Sequence, residues 1–242
     1  MTKTYVITGS TSGIGKAVVE SYKDEDVKLI VIARNAEKAQ ALKEVIDESK
    51  LEIVIADLEN VDSLKEILKP IIGRELDGLI HCAGIGGLES LRKTTYAKFL
   101  KIMNVNMFSF CEILRLCTLK KAPTKQFRCV AISSISSIKG FPNNQMYCAS
   151  KAAMDGFIRA VSIELQEKNV EINSIQPNWV DTPMVEDMKA YHGEEFDAFM
   201  SKECPLGIIN TDDVVEQIRF LLDKKSNKAT GSAFLINAGA QV

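Results

Sequence analysis

The sequence predicts an α/β fold, a single doubly wound parallel sheet of about seven strands with helices on both faces. Three observations lead there. Short Val- and Ile-rich runs alternate with longer segments of helical period along the whole chain. Several of the short runs are apolar on both faces, as strands sandwiched between helical layers must be. A glycine-rich turn joins the first run directly to the first helical segment.

Taken in order, the strand candidates are Lys3–Thr8, Val27–Ala33, 51–56, 79–82, 127–133, 171–175 and Ala233–Ile236. Helical candidates fall between them at 13–24, 36–48, 60–71, 94–120, 147–167 and 211–223. Such alternation implies right-handed crossovers. No long linker, repeat or low-complexity tract interrupts it, so residues 1–242 are expected to form one domain. Hydrophobic residues make up 46% of the chain, enough for a sizeable core, and with only 6 Pro and 14 Gly it is neither fibrous nor disordered in character. In a sheet of this kind ligands bind beyond the carboxyl ends of the strands. The functional residues are therefore expected at strand ends and in the loops after them.

Composition narrows the partners. The formal charge is -2 and no Lys/Arg-rich tract is present, which argues against nucleic acid and against a membrane surface. The chain opens on Met-Thr-Lys and runs at once into a strand, without a signal-peptide pattern. Its longest apolar runs fall short of the ~18 residues a membrane span needs. A cytoplasmic protein is expected. The six cysteines (82, 111, 117, 129, 148, 204) form no CxxC pair and have no zinc-ligand spacing. They are read as free thiols in a reducing compartment. His81 and His192 stand isolated, so no metal site is expected.

The first strand leads into Gly9-Ser10-Thr11-Ser12-Gly13-Ile14-Gly15, followed by a helix. Glycines are needed where backbone turns tightly, approaches a pyrophosphate, or packs helix close on strand. The helix start offers free amides to phosphates. A plain strand–helix turn is the alternative, but position at the first strand of a long β/α series favours a dinucleotide. About 20 residues on, an acid would bind the ribose hydroxyl of NAD. The sequence there is Ile32-Ala33-Arg34-Asn35, without an acid. Arg34 can pair with the 2′-phosphate of NADP, so NADP(H) is expected over NAD(H). A solvated arginine opening the next helix is the competing reading.

Tyr147 and Lys151 lie four apart, which puts phenol and ammonium on one helix face. A tyrosine of pKa about 10 exchanges protons poorly at neutral pH, and a nearby cation can lower it by roughly 1–3 units. Alone, the spacing often marks only an exposed helical pair. Thirteen residues before Tyr147, strand five ends in a serine cluster that includes Ser134, whose hydroxyl could fix a substrate oxygen opposite the tyrosine.

Together these motifs resemble the short-chain dehydrogenase/reductase family, in its shorter branch marked by TGxxxGxG and YxxxK. The resemblance runs from Thr8 to the segment Leu235–Gly239, with the motifs in one fixed order. It implies a Rossmann-like fold and a carbonyl–alcohol oxidoreductase acting on a small molecule. It implies that Gly9, Ser10, Ser12, Gly13, Ile14 and Gly15 hold the cofactor, with Asp57 and Leu58 beside the adenine. Ala83 and Gly84 would let backbone approach it. Val180 and Thr182 would meet the nicotinamide carboxamide. Asn106 would hold, through its backbone, a water that links Lys151 to solvent. Tyr147 would donate the proton, Ser134 orient the substrate oxygen, and Lys151 lower the tyrosine pKa and hold the ribose.

Two positions depart from the family pattern. His81 and Cys82 stand where the family has two asparagines, and Asn178 replaces the usual glycine after the sixth strand. Neither removes a proton-transfer group. A sugar-nucleotide epimerase or dehydratase is the alternative enzyme, but those chains carry a longer C-terminal region. A non-catalytic NADP-binding redox sensor would not need Ser134, Tyr147, Lys151 and Asn106 together. The substrate is left open. Residues 184–207 are expected to form a lid, with Met188, Tyr191, Phe196, Phe199 and Met200 either lining a pocket or buried beneath short helices. An apolar stripe on 94–120, with the helix at 147–167, predicts a homodimer or homotetramer.

Overall fold

The computed structural model describes residues 2–119, 125–223 and 228–242. The strands are β1 (Lys3–Thr8), β2 (Val27–Ala33), β3 (Leu51–Ile55), β4 (Gly78–His81), β5 (Phe127–Ile132), β6 (Val170–Pro177) and β7 (Ala233–Ile236). All pair in parallel, in the order β3-β2-β1-β4-β5-β6-β7. The chain builds outward from β1 in one direction, then returns to β4 and builds in the other. The reversal falls between β1 and β4, where Thr8 pairs with His81. A crevice opens at the carboxyl edge of such a switch point.

Strand residues alternate between two cores. Val6, Ile30, Ile32, Leu79, Cys129, Ala131 and Ile172 face one. Tyr5, Ile7, Leu29, Val31, Ile80, Val130, Ile132 and Ile175 face the other. The helices α1 (Gly13–Ser21) and α9 (Thr211–Asp223) cover the second core. The first is covered by α3 (Leu64–Ile67), α5 (Ser109–Thr118) and α6 (Gln145–Glu164), with α4 (Tyr96–Met103) leading into α5. Strands apolar on both faces are thus explained by two helical layers. Asn35 caps the short α2 (Ala36–Gln40), its Oδ1 accepting from the Lys38 amide at 2.8 Å.

Three predicted helices are shorter than their periodicity suggests. The 36–48 segment leaves the α-helix at Gln40 for a 3₁₀ turn, Ala41–Glu44. In 60–71, Pro70 removes an amide and ends the helix at Ile67, leaving 3₁₀ turns on either side. The 94–120 segment is divided by a π turn at Asn104–Phe108, and its last residue lies outside the described residues. Residues 184–207 contain two helices, α7 (Pro183–His192) and α8 (Phe196–Glu203). Phe196 and Met200 are buried there in a small cluster of their own with Val185 and Cys204, backed by Met188, Phe199 and Trp179. No described helix is long and apolar enough to cross a membrane.

Candidate active site

At the carboxyl edge, between the ends of β1 and β4–β6, lies a cavity of about 950 Å³. Its walls include Gly9, Ser12, Gly13, Ile14, Gly15, Ala83, Gly84, Ser134, Tyr147, Lys151, Val180 and Thr182. Loops and helices from Gly9 to Tyr191 meet there because parallel strands all end at this edge. Five predicted site residues lie outside those walls. Ser10 is fully buried under the glycine loop, and its hydroxyl has no partner. Arg34 and Asp57 are exposed on the same edge, each just past its strand, and Leu58 is buried in the first core. Asn106 is fully buried behind the wall.

The glycine loop fits a pyrophosphate. Gly9 has φ +66°, and a Cβ there would lie 2.6 Å from the Ala83 nitrogen. A Cβ at Gly15 would lie 2.2 Å from the Gly9 carbonyl oxygen. Only glycine permits this closeness. Ser12 precedes α1 without a side-chain cap, so the amides of the first helical turn remain available toward the cavity. Arg34 has no ion-pair or hydrogen-bond partner among the described residues, leaving its guanidinium available to an anion.

Across the cavity, Lys151 and Tyr147 share the first turns of α6. The Lys151 ammonium lies 5.6 Å from the Tyr147 ring centre and donates to the Ile132 carbonyl at 2.7 Å. Burial pushes the Tyr147 phenol up to about 12, opposed by a hydrogen bond from the Ser134 side chain. Burial likewise lowers Lys151 to about 8, opposed first by the charge of Asp155. In the protein alone the phenol thus stands above its ordinary value, with burial the largest cause acting on it. Ser134 is held in turn, its Oγ accepting from the Ser136 amide at 3.1 Å.

Asn106 sits in the π turn, which swings it off the regular helical ladder. Its Oδ1 accepts from the Ile85 amide at 2.8 Å, while its Nδ2 donates to the Ile85 carbonyl at 3.0 Å and to Ser150 Oγ at 2.9 Å. Ser150 Oγ donates onward to the Tyr147 carbonyl at 2.8 Å. The asparagine side chain thus fixes both the loop after Gly84 and the turn that carries Tyr147 and Lys151.

The departures from the family pattern have local explanations. Thr8 Oγ1 lies 2.9 Å from His81 Nδ1 and accepts from the Ala83 amide at 3.2 Å. Burial pushes His81 down to about 3, so it is neutral, and Nδ1 shares one hydrogen bond with the Thr8 hydroxyl. The histidine therefore ties β1 to β4 where the family has an asparagine. Asn178 lies outside the left-handed region, so glycine is not required there. Its Nδ2 donates to the Glu203 carbonyl at 2.6 Å and the Asn237 carbonyl at 3.1 Å.

Several neighbours of the site were not legible as motifs. Asp155 Oδ1 accepts from Ser174 Oγ at 2.7 Å, and its Oδ2 from Ser133 Oγ at 3.0 Å and Gln176 Nε2 at 2.8 Å. The one signal for it was its position, a helical turn beyond Lys151. Phe141 and Trp179 wall the far end of the cavity. Burial pushes the thiol of the core Cys117 up to about 12, and that of Cys82, partly buried in the cavity wall, to about 12 as well.

A family model described as Enoyl-(Acyl carrier protein) reductase matches residues 9–241. The chain is 27% identical to 3-oxoacyl-(acyl-carrier-protein) reductase FabG of Haemophilus influenzae, over 98% of this chain and 97% of that protein. It is 26% identical to carbonyl reductase family member 4 of Xenopus laevis, over 100% of this chain and 99% of that one. The solved structure of ElxO with NADP bound superposes with a TM-score of 0.87 at 26% identity, covering 99% of this chain and 98% of that one. With the fold, the glycine cradle and the Tyr147–Lys151 pair in place, these matches establish that the chain belongs to the short-chain dehydrogenase/reductase family and is an NAD(P)-dependent oxidoreductase.

Proposed function

We propose that this protein interconverts a carbonyl and an alcohol on a small molecule, preferring NADP(H), with Ser134, Tyr147, Lys151 and Asn106 as its proton-handling set. The observation that carries the reading is the single cavity shared by the glycine cradle and the Ser134–Tyr147–Lys151 wall. When bound, the nicotinamide gives or takes the hydride, and the protein supplies position and protonation. In reduction, the neutral Tyr147 phenol donates to the carbonyl oxygen. Ser134 Oγ holds that oxygen by a second hydrogen bond. Lys151 holds the cofactor ribose and stabilises the tyrosinate that donation leaves. Asn106 holds water beside Lys151 through its main chain, returning the proton from solvent. In oxidation the same groups run in reverse.

Gly9, Ser12, Gly13, Ile14 and Gly15 cradle the pyrophosphate. Ser10 supports the loop from beneath. Arg34 meets the 2′-phosphate, Asp57 and Leu58 flank the adenine, Ala83 and Gly84 admit the cofactor, and Val180 and Thr182 take the carboxamide. Residues 1–242 act as one domain, with 184–207 as a lid. The protein works as a cytoplasmic homodimer or homotetramer.

Tyr147→Phe tests the assignment. Turnover should fall by roughly 10²–10⁴, the size of a general acid–base contribution. NADPH affinity, followed by fluorescence titration, should remain near that of the parent. A mutant keeping more than half its activity refutes the role of Tyr147. In the same titrations NADPH should bind about ten- to a hundredfold tighter than NADH, the worth of one charge-assisted contact. Equal affinities would mean that Arg34 is only solvated.

A further inference from the structure

Beyond the Tyr147–Lys151 wall, the cavity continues to an end lined by Leu88, Phe141, Trp179, Met184, Met188 and Tyr191. This end is built rather than incidental. The rings of Phe141 and Trp179 meet edge to face at 5.9 Å, and Trp179 meets Phe199 in the same way at 5.7 Å. Tyr191 OH accepts from Asn143 Nδ2 at 3.0 Å, which ties the lid to the loop before α6. Asn143 itself stands in the left-handed region at φ +60° and accepts the Glu89 amide on its carbonyl at 2.8 Å.

The electrostatics of the wall are one-sided. Among the described residues that line the cavity, Lys151 is the only charged side chain. It belongs to the catalytic end and is bonded to the Ile132 carbonyl. A second cation, Lys139, lies behind the aromatic wall, 5.3 Å from the Phe141 ring centre. Glu203 neutralises it at 2.6 Å, with both side chains largely buried. Among the described residues, this end therefore offers mainly apolar surface, with the Trp179 Nε1 and Asn144 as polar groups, and no unpaired cation.

A carboxylate carried into such a place loses its hydration and gains no counter-ion, which is strongly unfavourable. A polyol loses hydrogen bonds to water that aromatic and thioether surfaces do not replace. An alkyl or aryl arm instead gains from leaving water. We infer that the substrate is an uncharged ketone, or the matching secondary alcohol, whose longer arm is alkyl or aromatic and lies between Phe141, Trp179 and the lid. The inference rests on the carbonyl-reductase reading above and specifies its substrate class.

The test compares three probes on the intact protein with NADPH: octan-2-one, 7-oxooctanoate (the same chain ending in a carboxylate) and fructose, a polyhydroxylated ketone. The kcat/KM for octan-2-one should exceed that for each of the other two by roughly hundredfold or more. Equal or better turnover of 7-oxooctanoate or fructose overturns the substrate class but leaves the reductase reading intact. NADPH binding without turnover of any ketone overturns the reductase reading, and the substrate class with it. Met184→Arg places a cation in the lid at a half-exposed position. It should shift the ratio of kcat/KM toward 7-oxooctanoate by roughly tenfold or more. An unchanged ratio in a variant that still binds NADPH would show that the missing cation does not set specificity.

Discussion

Tyr147 and Lys151 respond to burial in opposite directions, because burial disfavours whichever form is charged. The phenol rises to about 12 and the ammonium falls to about 8. For Tyr147 the folded protein favours the neutral phenol. That contribution is present below the ordinary value of 10 and is lost as pH rises toward 12. For Lys151 burial costs stability, fully so below about pH 8, where both folded and unfolded chains carry the proton. The cost fades as pH rises from about 8 to the ordinary 10.5. At neutral pH the pair is therefore a protonated donor beside a charged lysine, the arrangement that reduction needs. Because Lys151 is the only cation among the described residues of the wall, kcat/KM for NADPH should hold from pH 6 to about 8 and fall above it, since this parameter reports groups of the free enzyme. Lys151→Arg, whose cation persists at every working pH, should flatten the alkaline limb while lowering the rate. A wild-type profile without a break between pH 7 and 10 would contradict the assignment. The spacing of Tyr147 and Lys151 marks one helix face, and only the glycine loop and Ser134 at their places in the order single that pair out. Asp155 was only half legible, because its donors Ser133, Ser174 and Gln176 arrive from β5 and β6.

Element boundaries carry the parts of the site that periodicity misses. The 94–120 stripe reads as one helix because apolar spacing survives a single inserted residue. Only the backbone shows the π turn that aims Asn106 at Ile85 and Ser150. The central strands were legible nearly to the residue, since runs of β-branched residues buried on both faces have little alternative. Residues 184–207 carry too weak an apolar pattern for their two helices to be read locally. Asn178 joins these elements, binding the end of α8 to the end of β6 and the turn after β7. Restoring the family glycine with Asn178→Gly should therefore destabilise, not relax, the protein. Two hydrogen bonds to backbone carbonyls are lost and the unfolded chain gains freedom, together about 1–3 kcal/mol. Melting should fall by a few to about 10 °C. Substrate KM should rise as the lid loses its anchor. An unchanged or higher melting temperature would show that the clamp is not load-carrying for α8.

At the scale of the molecule, the two sheet edges have separate tasks. The carboxyl edge holds the cavity. The amino edge is tied by Asp223, which accepts from Tyr5, Tyr22 and Lys3 and pairs with Arg219. What remains unsatisfied is the outer surface of the first helical layer. Much of the 94–120 stripe is accounted for within the chain, since Ile102, Val105, Met107, Phe110, Ile113, Leu114 and Leu116 are buried in its own core. Phe99, Leu100 and Phe108 are not, and they share this surface with Tyr96, which is 79% exposed. On α6, which packs beside α4, Ile163 is 70% exposed. Isolated apolar residues on a surface are ordinary, but Tyr96 and Phe99, one turn apart on α4, with Leu100 beside them, are the kind of residues that interfaces cover. Identical chains would cover them by an isologous, closed pairing. Such pairing would brace α6 from outside, and with it the turn that carries Tyr147 and Lys151. Sedimentation at micromolar concentration should thus show a species two or four times the 26.8 kDa chain mass. The double substitution Tyr96→Asp, Phe99→Asp places charges on adjoining turns of α4 and should return the protein to 26.8 kDa with its fold retained by circular dichroism. A wild-type chain sedimenting near 26.8 kDa with and without NADPH would refute the assembly and leave the exposed aromatics without a partner.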